Sequence, residues 1–232
     1  MLTLAHYTAI QEMFESGDGF AFARFNDGEM RGIKAIGDTV ARGDQYVYPS
    51  LHSALVKSLQ HEQKNYWKGF PCKTCYPDLR QLYHTYVSED KPYQTYAVTL
   101  CNNGHWKKFI EQFGSLVGKR KLVWISGEDQ SIQGLHSILD VNQIDLHIRL
   151  PVRNAWSVYD KITGYGSEFK PDSVVVMSCG PLATVLACEL FKVRQDCVFF
   201  DAGSLFDPYT RNVWHGCHTG KLKYCPECNH EL

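Results

Sequence analysis

No stretch of this 232-residue sequence is long and apolar enough to cross a bilayer as a helix, which removes the helical membrane proteins. A secretory leader is missing as well: Met1 to Glu15 mixes His, Gln and Glu among its apolar residues and has no charged start followed by an apolar run. A cytoplasmic location is therefore expected. Neither sign of charge is in excess, with 24 Lys and Arg against 25 Asp and Glu and a formal net charge of -1. Such a chain carries no overall field to gather nucleic acid or an anionic membrane, so no nucleic-acid partner is expected. Internal repeats, low-complexity tracts and linker-like segments are lacking too, so the chain reads as a single domain over 1–232. There is also no Gly-x-Gly-x-x-Gly after the first strand, which weakens a dinucleotide- or methyltransferase-type reading.

What is present is a globular composition, 44% apolar, with a regular alternation of elements. The spacing predicts strands at Phe20–Phe25, Thr95–Leu100, Lys121–Ser126, Ile144–Leu150, Val174–Ser178 and Cys197–Asp201. It predicts helices near Thr8–Phe14, Met30–Ile36, Leu51–His61, Pro77–Tyr86, His105–Phe113 and Leu182–Lys192. Strands that alternate with helices imply an α/β fold, a mostly parallel sheet with helices on both faces. Ligands of such folds sit beyond the carboxyl ends of the strands. The polar clusters fall there: Asn26 to Glu29, Gly127 to Asp129, and Cys179 to Pro181.

The stretch Arg24-Phe25-Asn26-Asp27-Gly28-Glu29 is the most informative. Asp27 and Glu29 flank a glycine in a strand-to-helix turn. Magnesium or manganese takes oxygen ligands, usually one or two carboxylates plus substrate phosphates. Gly28 lets the backbone come close to a ligand, and Arg24 can pair with phosphate or with one of the carboxylates. Asn-Asp-Gly is also ordinary turn chemistry, so spacing alone leaves both readings open.

The stretch resembles the Arg-x-x-Asp-Gly-Glu signature of the GT-D glycosyltransferases, once catalogued as a domain of unknown function. Four later segments resemble that family in the same order: Trp124 to Glu128, Pro151 to Trp156, Cys179 to Ala187, and Asp201-Ala202-Gly203. The resemblance covers about residues 18 to 210. It implies a Rossmann-like fold, a nucleotide-sugar donor, a glycan or glycosylated acceptor, and Mn2+ or Mg2+ at the donor diphosphate. On the same basis Asp27 and Glu29 carry over as donor and metal residues, and Asn154, Gly180 and Pro181 as donor-site residues. Two departures stand out. Ser126 replaces the family's glutamate at the end of its strand, with Glu128 two residues on. Ser204 to Tyr209 replaces a His-x-Asp-x-Glu-Tyr-like segment.

An inverting transferase needs a carboxylate to take the acceptor hydroxyl's proton. Glu128, Asp129 and Asp207 are the candidates, with Glu128 placed first. Gly180-Pro181 before a helix can offer backbone N–H groups to a phosphate, or can simply be a tight strand–helix turn.

The tail from about 214 to 232 changes character, carrying three cysteines and three histidines. Cys72-x-x-Cys75 and Cys225-x-x-Cys228 are two knuckle-like pairs, and four thiolates would close a tetrahedral structural Zn2+ site. Cys217, His218 and His230 are competing ligands, so a site formed by the tail alone is the alternative. The leading expectation is thus a metal-assisted glycosyltransferase. A zinc-stabilised nucleic-acid- or protein-binding module and another Rossmann-like nucleotide-dependent transferase are the other readings.

Overall fold

Alternation of apolar residues along the strands builds two cores, one on each face of a single sheet. The computed structural model describes residues 3–37, 39–40, 45–97, 103–139, 144–215 and 225, without the side chains of 3–8 and 103–104. The first half of the chain holds α1 (Thr3–Glu15), β1 (Phe20–Arg24), α2 (Asp27–Lys34), β2 (Thr39–Val40), β3 (Gln45–Tyr46), α3 (Pro49–Gln60), β4 (Tyr66–Phe70), α4 (Pro77–Tyr86), β5 (Gln94–Tyr96) and α5 (Asn103–Val117). The second half holds β6 (Leu122–Gly127), β7 (Ile144–Leu150), α6 (Tyr159–Gly164), β8 (Val174–Ser178), α7 (Pro181–Val193), β9 (Val198–Asp201) and α8 (Asp207–Thr210), with short 3-10 turns between them.

Seven strands form the main sheet in the order β5-β4-β1-β9-β8-β6-β7, and every pairing in it is parallel. Ala21, Ala23, Val123, Ile125, Val175, Met177 and Phe199 point to the core beneath α2, α3, α4, α6 and α7. Phe20, Phe22, Leu122, Trp124, Val174, Val176 and Phe200 point to the core shared with α1, α5 and the 132–137 turn. The single α/β domain with helices on both faces is therefore as expected. α7 is the most deeply set helix: ten of its 13 residues are buried, Thr184 among them. Among the described residues no helix is long and apolar enough to cross a membrane.

Some elements differ from the expectation. α2 starts at Asp27 rather than Met30, because Asn26 stands at its N-cap and Glu29 Oε2 accepts from the Asn26 N–H at 3.2 Å. β5 ends at Tyr96, and 98–100 lie outside the described residues. β4 and the β2–β3 hairpin carry no clear sequence signal. β4 is interrupted by Lys68 and Gly69, yet both are buried. Lys68 Nζ donates to the Leu59 carbonyl at 3.0 Å, and a Cβ on Gly69 would come within 2.9 Å of the Ala97 backbone.

Candidate functional site

Because the sheet is parallel, all its carboxyl ends share one edge. β1 and β9 are neighbours there, and their continuations leave toward opposite faces. α2 places Met30 and Ile33 in the core of its own face, whereas the segment after β9 places Ala202, Leu205 and Phe206 in the other. The chain parts at this point and leaves a crevice between the two strand ends, the usual ligand position in open α/β sheets.

Charged groups from both strands meet in this crevice. Asp201, at the end of β9, is buried. Its Oδ2 accepts from the Arg24 backbone N–H at 3.2 Å and the Thr184 hydroxyl at 2.9 Å, and its Oδ1 accepts from the Gly203 N–H at 3.2 Å. Arg24 Nε lies 3.7 Å from Asp201 Oδ1. Thr184, in the first turn of α7, also stands 3.0 Å from the Arg24 carbonyl, so its one hydroxyl proton is shared between β1 and Asp201. Gly203 has φ +51, and a Cβ there would stand 2.0 Å from an Arg24 terminal nitrogen. Only glycine combines that backbone with that close approach.

Glu29 sits behind Asp27 on the first turn of α2 and is buried. Burial, then the nearby Asp201 charge, push its carboxyl from 4.5 up to about 7; Arg24 and a backbone N–H pull it down, and Asp27 adds a smaller upward push. Asp201 is also raised by burial, against the lowering effect of Arg24, Thr184 and two backbone N–H groups. Cys179, buried beside Asp201, has its thiol pushed well above its ordinary value by burial and then by that carboxylate, so it is no nucleophile at neutral pH.

These shifts fix a sign. The folded metal-free protein keeps the Glu29 proton up to about pH 7, whereas the unfolded chain releases it near 4.5. Between those values the unfolded state binds fewer protons, so stability falls as pH rises and levels off above the folded value. Asp201 shifts in the same direction and adds to the fall. Urea midpoints of metal-free protein should drop between about pH 5 and about pH 7.5, and Glu29→Gln should flatten that slope. A midpoint that rises across the window would contradict the buried-carboxyl arrangement.

Two buried carboxyls, Glu29 and Asp201, thus share one guanidinium, Arg24, and Asp27 stands close enough to Glu29 to be felt by it. Once ionised, this carboxylate cluster suits a divalent cation. The oxygens do not form a ready-made cage: among the described residues the group of three metal-ligating side chains with all ligand atoms within 4.8 Å is Cys72, Cys75 and Cys225. An ion taking one or two carboxylates and completing its shell from phosphate and water fits such an arrangement. A Cβ on Gly28 would meet nothing within 4 Å.

The other expected site residues spread along the same edge. Gly180 has φ +62 and caps α7, with Pro181 opening the helix. Pro181 has no N–H and Ala183 donates to the Gly180 carbonyl at 2.9 Å, so this turn has fewer donors for an anion than its sequence implies. Asn154 has φ +52, and its Oδ1 accepts from the Tyr46 N–H at 2.9 Å. Gln45 completes the stitch, donating to the Val152 carbonyl at 2.7 Å and accepting from the Ala155 N–H at 2.9 Å. Asn154 and Gln45 therefore tie the β2–β3 hairpin to the loop after β7. The hairpin presents Tyr46 and Tyr48, partly exposed and edge to face at 4.7 Å.

Glu128 is exposed at the end of β6. Asp129 pairs with Arg211 at 2.9 Å. Asp207 is buried and pairs with Arg211 at 2.9 Å and His215 at 2.7 Å. Two of the three base candidates are thus engaged in ion pairs. Cys72 and Cys75 lie in the turn between β4 and α4, where Cys225 joins them; Cys217, His218, Cys228 and His230 fall outside the described residues. Sequence reasoning placed Asp201 and Thr184 in segments resembling the family but gave them no role, and it did not reach Gln45. For Asp201 the available signal was an acidic residue at a strand end followed by glycine, the pattern already used for Asp27.

The family model for the glycosyltransferase GT-D fold matches residues 22–215. Solved structures share the architecture. A selenomethionine-substituted structure of domain of unknown function 1792 superposes with TM-score 0.68 at 16% identity, covering 88% of this chain and 78% of that one. A structure described as a new glycosyltransferase of this type from Streptococcus sanguinis gives TM-score 0.65 at 18% identity, over 88% and 81%. A third, described as showing that the domain has a distinct glycosyltransferase fold, gives 0.64 at 18% identity, over 88% and 78%. No curated protein matches the chain in sequence.

Proposed function

The chain belongs to the glycosyltransferase GT-D fold family, and from that premise we propose that it transfers a sugar from a nucleoside-diphosphate-sugar donor to a hydroxyl of a glycan or glycosylated acceptor. The observation that carries this reading is the carboxylate cluster at the β1–β9 crevice. An anionic diphosphate is poorly matched to a carboxylate cluster with one guanidinium, and a cation between them removes the mismatch. Asp27 and Glu29 would hold Mg2+ or Mn2+ together with donor diphosphate oxygens. When bound, that ion supplies Lewis-acid stabilisation of the charge growing on the leaving diphosphate.

The chain's own residues prepare the site. Glu29 must release its proton on loading, and Arg24 lowers the cost by favouring the ionised form. Asp201 and Gly203 hold the guanidinium in place. The positive end of the α7 dipole faces the same edge, beyond Gly180 and Pro181, and favours phosphate there. Asn154 shapes the donor wall by fixing the hairpin, and Tyr46 and Tyr48 offer aromatic faces to sugar or base. Glu128 is the proposed base, since among the described residues its carboxylate forms no ion pair while Asp129 and Asp207 do. It stands three strand spacings from β1, roughly 14 Å, which leaves room between for a donor sugar and an acceptor. A binding module stabilised by metal at the thiols is the second reading, but it leaves the buried carboxylates without a role.

A thermal-shift screen tests the donor class. Uridine, guanosine and cytidine diphosphates and their sugars are each added with and without manganese. One nucleotide at about 100 Kd should raise Tm by roughly 5–10 °C, and only with metal. No shift with any nucleotide would overturn the donor assignment. Gly28→Ala sharpens the result. The space beside Gly28 admits a methyl group, and alanine suits a helix better by about 0.5–1 kcal/mol, so the variant should fold at least as stably as the parent. Its nucleotide affinity should still drop by about tenfold or more, because the added methyl occupies the approach to the phosphates.

A further inference from the structure

Away from the crevice, the fold gathers cysteines from distant parts of the chain. Cys72 and Cys75 occupy the turn after β4, which the Tyr76 N–H closes onto the Cys72 carbonyl at 2.9 Å. Cys225 arrives from 153 residues further along. The three sulfurs all lie within 4.8 Å of one another. Cys72 and Cys225 are buried and Cys75 is half-buried, against the core that contains Phe70, Leu79 and Tyr83.

The spacing fits a shared metal ion as well as a thiol–thiol contact, and it is too long for a disulfide. Thiolates at about 2.3 Å from a tetrahedral zinc ion stand about 3.8 Å from each other. A disulfide draws its sulfurs to about 2.05 Å. Cys72 Sγ and Cys225 Sγ are 3.8 Å apart, the edge of a zinc–thiolate tetrahedron. We propose that Cys72, Cys75 and Cys225 are ligands of a structural zinc ion, with Cys228 as the fourth. Cys228 lies outside the described residues and enters on its sequence spacing alone, as the second member of the Cys225-x-x-Cys228 pair.

Loading converts four thiols to thiolates and releases four protons to solvent. The zinc–thiolate group then carries a formal charge of about -2. Arg80 is placed to offset it: its guanidinium stacks 3.7 Å over Phe70 and donates to the carbonyl of Pro71, the residue before Cys72. Four protein ligands close the coordination shell, so the ion is structural rather than catalytic. It joins the C-terminal part of the chain to the end of β4, the strand that pairs with β1. Thiolates select zinc and carboxylates select magnesium or manganese, so the two sites load and empty independently. The assignment does not depend on the glycosyltransferase reading.

The test is metal analysis of protein purified under reducing conditions without a metal-affinity column. About one zinc per chain is expected. Cobalt exchange should give thiolate-to-cobalt charge-transfer absorption and tetrahedral ligand-field bands. Cys72→Ser and Cys228→Ser should lose the zinc, whereas Cys188→Ser, at a buried thiol in α7, should keep it. Chelation should lower Tm by about 5–10 °C. Reduced protein that holds no zinc and takes up no cobalt overturns the proposal, as does a Cys72–Cys225 disulfide found by mass spectrometry. Zinc retained in Cys72→Ser would place the site within the tail, and zinc retained in Cys228→Ser would overturn the four-thiolate set. If Cys72→Ser does not fold, the cobalt spectrum of the unaltered chain decides.

Discussion

Glu29→Gln is expected to lower sugar transfer by at least about 100-fold while making the metal-free protein more stable above pH 7 by about 1–3 kcal/mol. The two signs are opposite because one charge causes both effects. The Glu29 carboxyl is buried beside Asp201, and its ionisation is pushed up to about 7, so every ionised copy at neutral pH works against folding. Glutamine keeps the volume and still accepts from the Asn26 N–H. It removes the anionic oxygen that a metal–diphosphate needs. Urea unfolding at about pH 8 and steady-state transfer on the same preparation read both effects. Asp27→Ala serves as companion. Among the described residues its side chain makes none of the hydrogen bonds or ion pairs that hold the fold, so Tm should move by only about 2 °C while transfer falls as far. Near-normal transfer in both variants would remove the crevice from the chemistry.

Arg24→Ala should move both properties the same way. The guanidinium is the largest of the influences that favour the ionised form of both Glu29 and Asp201. Without it the two buried carboxyls keep only neutral hydrogen-bond donors. Removing one member of a buried pair typically costs about 3–5 kcal/mol, and a loss of roughly 3 kcal/mol is expected here at about pH 8. The loss should shrink toward about pH 5, where both carboxyls can stay protonated in the folded state. Transfer should fall by about 100-fold or more, because Glu29 is harder to deprotonate for metal loading. Arg24→Lys should recover part of the stability, since it restores the charge without the planar fork packed at Gly203. A pH-independent loss would mean that Arg24 acts through packing alone.

These variants rest on a site that was only half legible in the sequence. β1, β6 and β8 could be read because strands buried on both faces are continuous apolar runs. β4 could not, because Lys68 carries a charge in its middle; the structure buries the lysine stem and satisfies the ammonium on Leu59. Asp27 and Glu29 were visible because they are two residues apart. Asp201 stood in a segment resembling the family but without a role, because its partner Arg24 stands 177 residues away. Gln45 has the same difficulty, with its partner carbonyl at Val152, 107 positions on. Local pattern reveals groups that neighbours in the chain bring together. Groups that only the sheet order brings together need the fold. The cysteine pairs show both cases, since each Cys-x-x-Cys is local while the meeting of Cys72 with Cys225 is not.

The sheet order also sets a timetable for biosynthesis. β1 leaves the ribosome well before β9, its partner on one side, with which it pairs as Phe20 with Val198 and Phe22 with Phe200. A nascent chain that stops short of Val198 leaves β1 and β8 as open edges in the middle of the sheet, with bare N–H and C=O groups able to template aggregation. It also lacks Asp201 and Gly203, so Arg24 has no seat. The acidic crevice cannot be assembled until β9 has been made and slots into the centre of the sheet. Truncated products ending before that point should bind no nucleotide and should depend on chaperones for solubility.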